Sequence, residues 1–180
     1  MRLFLALALP DDLRDALEEL QADLPVGRPV PAETLHLTMV FLGEIDEEAA
    51  EAAHAALETL RHPPVEVALS GLDTFGARRP QVLYTGVREA SALSGLRARL
   101  LARLRAAAIA PDRQRFRPHV TLARFPGRHS AFDIARLRDF LEARGDAAFA
   151  PFTAEEVILY RSRLGPGGAE HEPLAAYPLG

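Results

Sequence analysis

Leu35-His36-Leu37-Thr38-Met39 and Pro118-His119-Val120-Thr121-Leu122 are two copies of one pattern. Each reads histidine, apolar residue, threonine, apolar residue. On a strand, residues two apart share a face and lie ~6.5 Å apart along the chain. Histidine and threonine therefore point one way and their apolar neighbours the other, into a core. Two such strands predict one shared cleft that offers two imidazoles and two hydroxyls.

The flanks of the two copies run in parallel. Met1 to Pro10 reads as a first strand rather than a leader, because Asp11-Asp12 follow at once. Asp11 is suited to cap a helix with apolar positions Leu13, Leu17, Leu20 and Leu24. Arg28-Pro29-Val30-Pro31 is an extended connector to the first motif strand, Thr34 to Leu42, which Gly43 closes. Asp46 then caps an alanine-rich helix to about Leu60. Strands are expected at Val65–Leu69 and Val82–Val87, joined by a loop, Gly76-Ala77-Arg78-Arg79-Pro80.

In the second half, Ser91 begins a helix with Leu93, Leu96, Leu100 and Leu104 on one stripe, and Phe116 to Phe125 is the second motif strand, followed by Pro126-Gly127. Ser130 and Asp133 have the spacing of a capping box for a helix to about Arg144. Phe152 to Arg163, a turn at Gly165-Pro166-Gly167-Gly168 and an extended stretch from Glu172 to Leu179 complete the chain. Helix, motif strand, glycine and helix thus recur in the same order. This predicts an α+β fold in one bilobal domain over residues 1–180, with approximate halves 1–90 and 91–180. Its two pseudo-two-fold-related lobes of antiparallel sheet carry helices on the outside, and the His-x-Thr strands line a central cleft.

Composition narrows the chemistry. The hydrophobic content of 48% and charged content of 26% belong to a folded globular chain. There is no cysteine, so disulfides, thiolate metal sites and thiol nucleophiles are excluded. All 21 basic residues are arginine, which excludes Schiff-base chemistry, nucleotidyl-lysine chemistry and the P-loop lysine. Residues 1–90 hold 7 Arg against 16 acids and residues 91–180 hold 14 against 9. A net-acidic chain is a poor non-specific nucleic-acid binder, though its basic half can accept an anion locally. The absence of both cysteine and a membrane-length apolar run makes a cytoplasmic protein without membrane association the simplest expectation.

A lone histidine on a half-buried strand is commonly structural; its repetition at matching places is what points to function. One imidazole can take a proton while the other gives one near neutral pH. That suits displacement at phosphorus, with threonine hydroxyls on the non-bridging oxygens and arginine for charge. A cyclic phosphate, whose leaving group stays tethered, is an apt substrate. Zinc binding is the competing chemistry, but His54, His62, His129 and His171 form no ligand motif with His36 or His119. Leu93-Ser94-Gly95 does not supply a nucleophile elbow.

These motifs resemble the two-histidine (2H) phosphoesterase superfamily, and within it the RNA 2',3'-cyclic phosphodiesterases, also called 2'-5' RNA ligases. The resemblance rests on Arg2-Leu3-Phe4-Leu5-Ala6, Arg28-Pro29-Val30, the first motif running into Phe41-Leu42-Gly43-Glu44, Phe116 to Arg124, and Leu159-Tyr160-Arg161-Ser162. It implies hydrolysis of RNA 2',3'-cyclic phosphate ends to 2'-phosphomonoesters without metal or other cofactor, and a reverse, ATP-independent 2'-5' joining. It implies that His36 is the proton donor and His119 the proton acceptor, with Thr38 and Thr121 on the phosphate. Arg124 is the candidate phosphate or RNA contact, and Phe4 a candidate base contact set against a core role. The partner implied is RNA with a cyclic phosphate end, tRNA fragments among the candidates, bound by a monomer. Small cyclic nucleotides, ADP-ribose cyclic phosphate and a non-catalytic RNA-end module are the alternatives.

Two positions depart from simple expectation. Arg124 lies an odd number of residues after His119, so a straight strand points it away from the cleft, and a bulge or strand end is needed to bring it back. Near the C-terminal end, where this family often has tyrosine, the chain reads His171-Glu172-Pro173-Leu174. Arg78, Arg79 and the arginines of the 91–109 helix are the surface candidates for the RNA body.

Overall fold

The two motif stretches lie on neighbouring strands in the computed structural model, which describes all residues except 77, 78, 112–114, 126, 128, 166 and 167. The strands are β1 (Arg2–Ala8), β2 (Arg28–Pro29), β3 (His36–Glu44), β4 (Val65–Val67), β5 (Leu69–Phe75), β6 (Val82–Val87), β7 (His119–Arg124), β8 (Phe152–Ala154), β9 (Glu156–Gly165) and β10 (Gly168–Pro178). The helices are α1 (Asp11–Ala22), α2 (Glu47–Glu58), α3 (Ser91–Ala106) and α4 (Ala131–Arg144), with a short 3-10 turn at Ala32–Thr34.

The main sheet runs β10-β9-β1-β3-β7-β6-β5, with β2 also on β7, and every pairing is antiparallel. β3 and β7 meet through a single pair, Leu37 opposite Val120. The order β1-α1-β3-α2-β4-β5 recurs as β6-α3-β7-α4-β8-β9. In space the trios are β9-β1-β3 and β5-β6-β7, so each repeat places its last strand beside the first strand of the other. The repeats therefore join between Phe75 and Val82, one strand earlier than a division near residue 90, and β4 and β8 form a small second sheet.

The core lies between one face of the main sheet and the helices. Leu3, Leu5 and Leu7, Leu37 and Met39, and Val120 and Leu122 meet Leu13, Leu17 and Leu20 of α1, Leu57 of α2 and the Leu93–Leu104 stripe of α3. Burying a leucine of this kind is worth ~2 kcal/mol. The Asp46 carboxylate accepts from Ala49 N at 2.8 Å, and Ser130 and Asp133 form the reciprocal capping box. α1 instead begins with Asp11 already inside the helix after Pro10, and α3 follows Ala90. The second motif strand is shorter than its apolar run because Pro118, lacking an N–H, precedes its first residue. The final stretch starts at Gly168 as an edge strand, where Pro173 is tolerated next to a register shift.

Candidate active site

Both motif strands show the same sequence of exposure. His36 and Thr38 are half-buried and alternate with buried Leu37 and Met39; then Val40 is buried and Phe41 exposed. His119, Thr121, Val120, Leu122, Ala123 and Arg124 repeat this pattern residue for residue. Two consecutive buried residues mean that alternation breaks. The register confirms it: Leu5 and Ala6 pair with Val40 and Thr38, leaving Met39 extra, and Leu83 and Tyr84 pair with Ala123 and Thr121, leaving Leu122 extra. These β-bulges reverse the facing of the later residues on each strand. Arg124 thus returns to the cleft side, and Phe41 does so at the equivalent place.

A helix side chain holds each bulge. Gln21 of α1, 7% exposed, donates from Nε2 to the Leu122 carbonyl at 2.7 Å and to the Val30 carbonyl at 2.8 Å. Arg97 of α3 donates from Nε to the Met39 carbonyl at 3.1 Å, and its guanidinium lies over the Phe116 ring. Arg97 is therefore part of the frame rather than a solvated surface arginine. Arg99 and Arg105 of the same helix, and Arg79, are exposed, while Arg78 lies outside the described residues.

The two imidazoles are oriented alike. His36 Nδ1 lies 2.7 Å from the Thr34 carbonyl and His119 Nδ1 2.6 Å from the Arg117 carbonyl, in each case two residues upstream. A carbonyl only accepts, so Nδ1 carries the hydrogen and the neutral ring keeps its lone pair on Nε2. Burial is the main force holding the His36 imidazole down to about 4; its Thr34 hydrogen bond opposes this, and His171, His119 and Arg124 push further down. His119 is also lowered, first by burial and then by Arg124. That one guanidinium acts on both rings places Arg124 electrostatically between the motifs. The Thr38 and Thr121 hydroxyls share the histidine face, without a side-chain hydrogen bond among the described residues.

Phe4 does not line the cleft. It is 3% exposed, lying under His36, Phe41, Tyr160 and His171, so a base has no access to its faces. The exposed aromatic at this end is Phe41, at 49%. His171, a third histidine, stands against His36 with ring centroids 5.0 Å apart. Sequence pattern alone did not select it, since it belongs to neither motif and only the β10–β9–β1 register brings it to this end of the cleft. Among the described residues, no group of three or more His, Asp or Glu is disposed to hold a metal ion, and no helix is long and apolar enough to cross a membrane.

A bilobal antiparallel sheet carrying paired His-x-Thr strands defines a two-histidine phosphoesterase fold, and sequence comparison gives the family. The 2'-5' RNA ligase superfamily matches over residues 9–166, and the chain belongs to it. An RNA 2',3'-cyclic phosphodiesterase of Geobacillus stearothermophilus is 31% identical over 183 residues, which cover 98% of this chain and 56% of that protein. The chain therefore spans little more than half the length of that relative. One of Escherichia coli K12, with the same name, is 29% identical over 188 residues, 99% of this chain and 96% of its own. E. coli LigT in its apo form superposes with a TM-score of 0.79 at 26% identity, covering 99% of this chain and 96% of the other, and LigT has also been solved with phosphate and with 3'-AMP.

Proposed function

We propose that this protein hydrolyses 2',3'-cyclic phosphate ends of RNA to 2'-phosphomonoesters by paired imidazole acid/base catalysis. The observation that carries the reading is the matched pair of rings, each with Nδ1 tied to a carbonyl and Nε2 without a hydrogen bond among the described residues, on adjacent strands with Arg124 acting on both. His119, neutral, takes a proton from water as the water oxygen bonds to phosphorus. His36 gives a proton to the departing 3' oxygen as that P–O bond breaks. Proton exchange with solvent then restores both rings.

The low proton affinity of His36 in the free protein fits this cycle once the substrate is counted. The phosphodiester brings a negative charge beside a desolvated imidazole, and an opposite charge at short range favours the protonated form. Arg124 and the Thr38 and Thr121 hydroxyls serve the non-bridging oxygens, where charge reorganises in the transition state. 2'-5' joining uses the same two groups in the same roles: a 5' hydroxyl replaces water, His119 takes its proton as its oxygen bonds to phosphorus, and His36 protonates the departing 3' oxygen, so no nucleotide is needed.

The reading includes a monomer that acts in the cytoplasm on RNA ends, tRNA fragments among them. Its test is turnover of an oligonucleotide with a 2',3'-cyclic phosphate, in EDTA. The expected product is the 2'-phosphate, and His36→Ala and His119→Ala are each expected to lose on the order of 10²-fold or more. Full activity in either variant overturns the mechanism. Activity lost in EDTA and restored by zinc points to metal chemistry, and binding without turnover points to an RNA-end module. A preference for a small cyclic nucleotide or ADP-ribose cyclic phosphate over the oligonucleotide moves the substrate but keeps the mechanism.

A further inference from the structure

Each motif histidine stands at one corner of a triangle of rings. Around His119 the other corners are Phe75, edge-on at 4.9 Å and 81°, and Tyr84, at 5.3 Å and 65°, themselves stacked at 4.1 Å. Around His36 the corners are Phe4 and His171, and all three centroid separations are 5.0 Å. His171 meets His36 at 89° and Phe4 at 78°. It arrives there because Ser162 of β9 pairs both with His171 of β10 and with Arg2 of β1, two residues from Phe4.

The Nδ1 hydrogen bond fixes one edge of the His36 ring but leaves its plane free to rock about that contact. A tilted ring contact from Phe4 and a perpendicular ring contact from His171 limit this freedom. Among the described residues, His171 Nδ1 is buried without a well-formed hydrogen bond, and the neighbouring Glu172 carboxylate is held by Arg161 at 2.5 and 2.9 Å and by Arg163 at 3.2 Å. Besides its electrostatic effect on His36, His171 offers the site a flat ring packed against both His36 and Phe4.

We propose that His171 is a positioning residue for the hydrolysis: with Phe4 it fixes the plane of the His36 imidazole so that Nε2 stays aimed into the cleft, as Phe75 and Tyr84 do for His119. The inference rests on the reading of His36 as a catalytic group. Misalignment of a proton donor raises the barrier without weakening substrate binding, so the loss belongs in kcat.

The test is steady-state kinetics on a 2',3'-cyclic-phosphate oligonucleotide. His171→Ala is expected to lower kcat on the order of tenfold, with KM within about twofold. His171→Phe, which restores a flat ring, is expected within about threefold of the parent kcat. His171→Leu fills the space without a planar edge and is expected to follow the alanine variant; it answers the question if His171→Ala fails to fold. Parent kcat in both ring-less variants, an equal loss in His171→Phe, or a loss carried by KM overturns the proposal. His36→Ala in the same assay separates the two levels. Should it stay active, the two-histidine reading itself fails; should it be dead while His171→Leu and His171→Ala match the parent, only the positioning role fails.

Discussion

Burial of His36 has a cost that a single substitution exposes. The imidazole takes up a proton near the ordinary 6.5 when the chain is unfolded but at about 4 when folded. The unfolded state therefore binds the proton first as pH falls. Stability is intact above 6.5 and is lost progressively between 6.5 and 4. With these two values the loss by pH 4.5 is ~2.5 kcal/mol. His36→Gln removes the titration and keeps an amide able to donate to the Thr34 carbonyl. At ~2–4 °C per kcal/mol for a chain of this size, Tm of the parent should fall by ~5–10 °C more than that of His36→Gln between pH 7 and pH 4.5. The assay is thermal unfolding of both proteins in matched buffers free of phosphate, which would favour the protonated ring. Equal acid sensitivity in the two proteins would refute the claim that His36 is held neutral by its surroundings.

The same burial shapes the kinetics. Both motif imidazoles are lowered in the free protein, so the basic limb of kcat/KM should lie below pH 6.5, and the kcat profile should sit at higher pH because bound phosphate favours protonation; coincident profiles would count against it. Arg124→Met should lower kcat/KM on the order of 10²-fold while leaving Tm within a few degrees, since it removes a charge-assisted contact from an exposed side chain. Gln21→Leu strands the Val30 carbonyl and one bond to Leu122, at a cost of ~1–3 kcal/mol; a denaturant midpoint unchanged from the parent would show that the bulge needs no such brace.

The doubled His-x-Thr alternation was enough to place His36, Thr38, His119 and Thr121 on one face, because strand period is a local property. The capping box at Ser130 and the Leu93–Leu104 stripe were equally local and equally legible. Arg124 was harder. Its odd spacing demanded a bulge, and the signal was present in the apolar pairs Met39-Val40 and Leu122-Ala123, where strict alternation already fails. What could not be read was anything that depends on which strands become neighbours. Phe4 is sealed by Tyr160 and His171, residues more than 150 positions away in the chain, and no periodicity encodes that contact. The exchange of β5 and β9 between repeats is of the same kind, since order along the chain does not specify which first strand a last strand will join.

That exchange governs how the chain behaves when it is cut. A piece ending at Phe75 holds His36 but lacks β9, the neighbour that completes β1; a piece starting at Val82 holds His119 but lacks β5, the neighbour of β6. Neither fragment can finish a sheet by itself, and each carries the edge the other needs. The two pieces are thus expected to behave as a split-protein pair: without turnover of the cyclic-phosphate oligonucleotide apart, prone to aggregate through unsatisfied strand edges, and regaining turnover on mixing. For the intact chain it means the two imidazoles cannot mature independently, because each is seated on a sheet that the opposite repeat finishes.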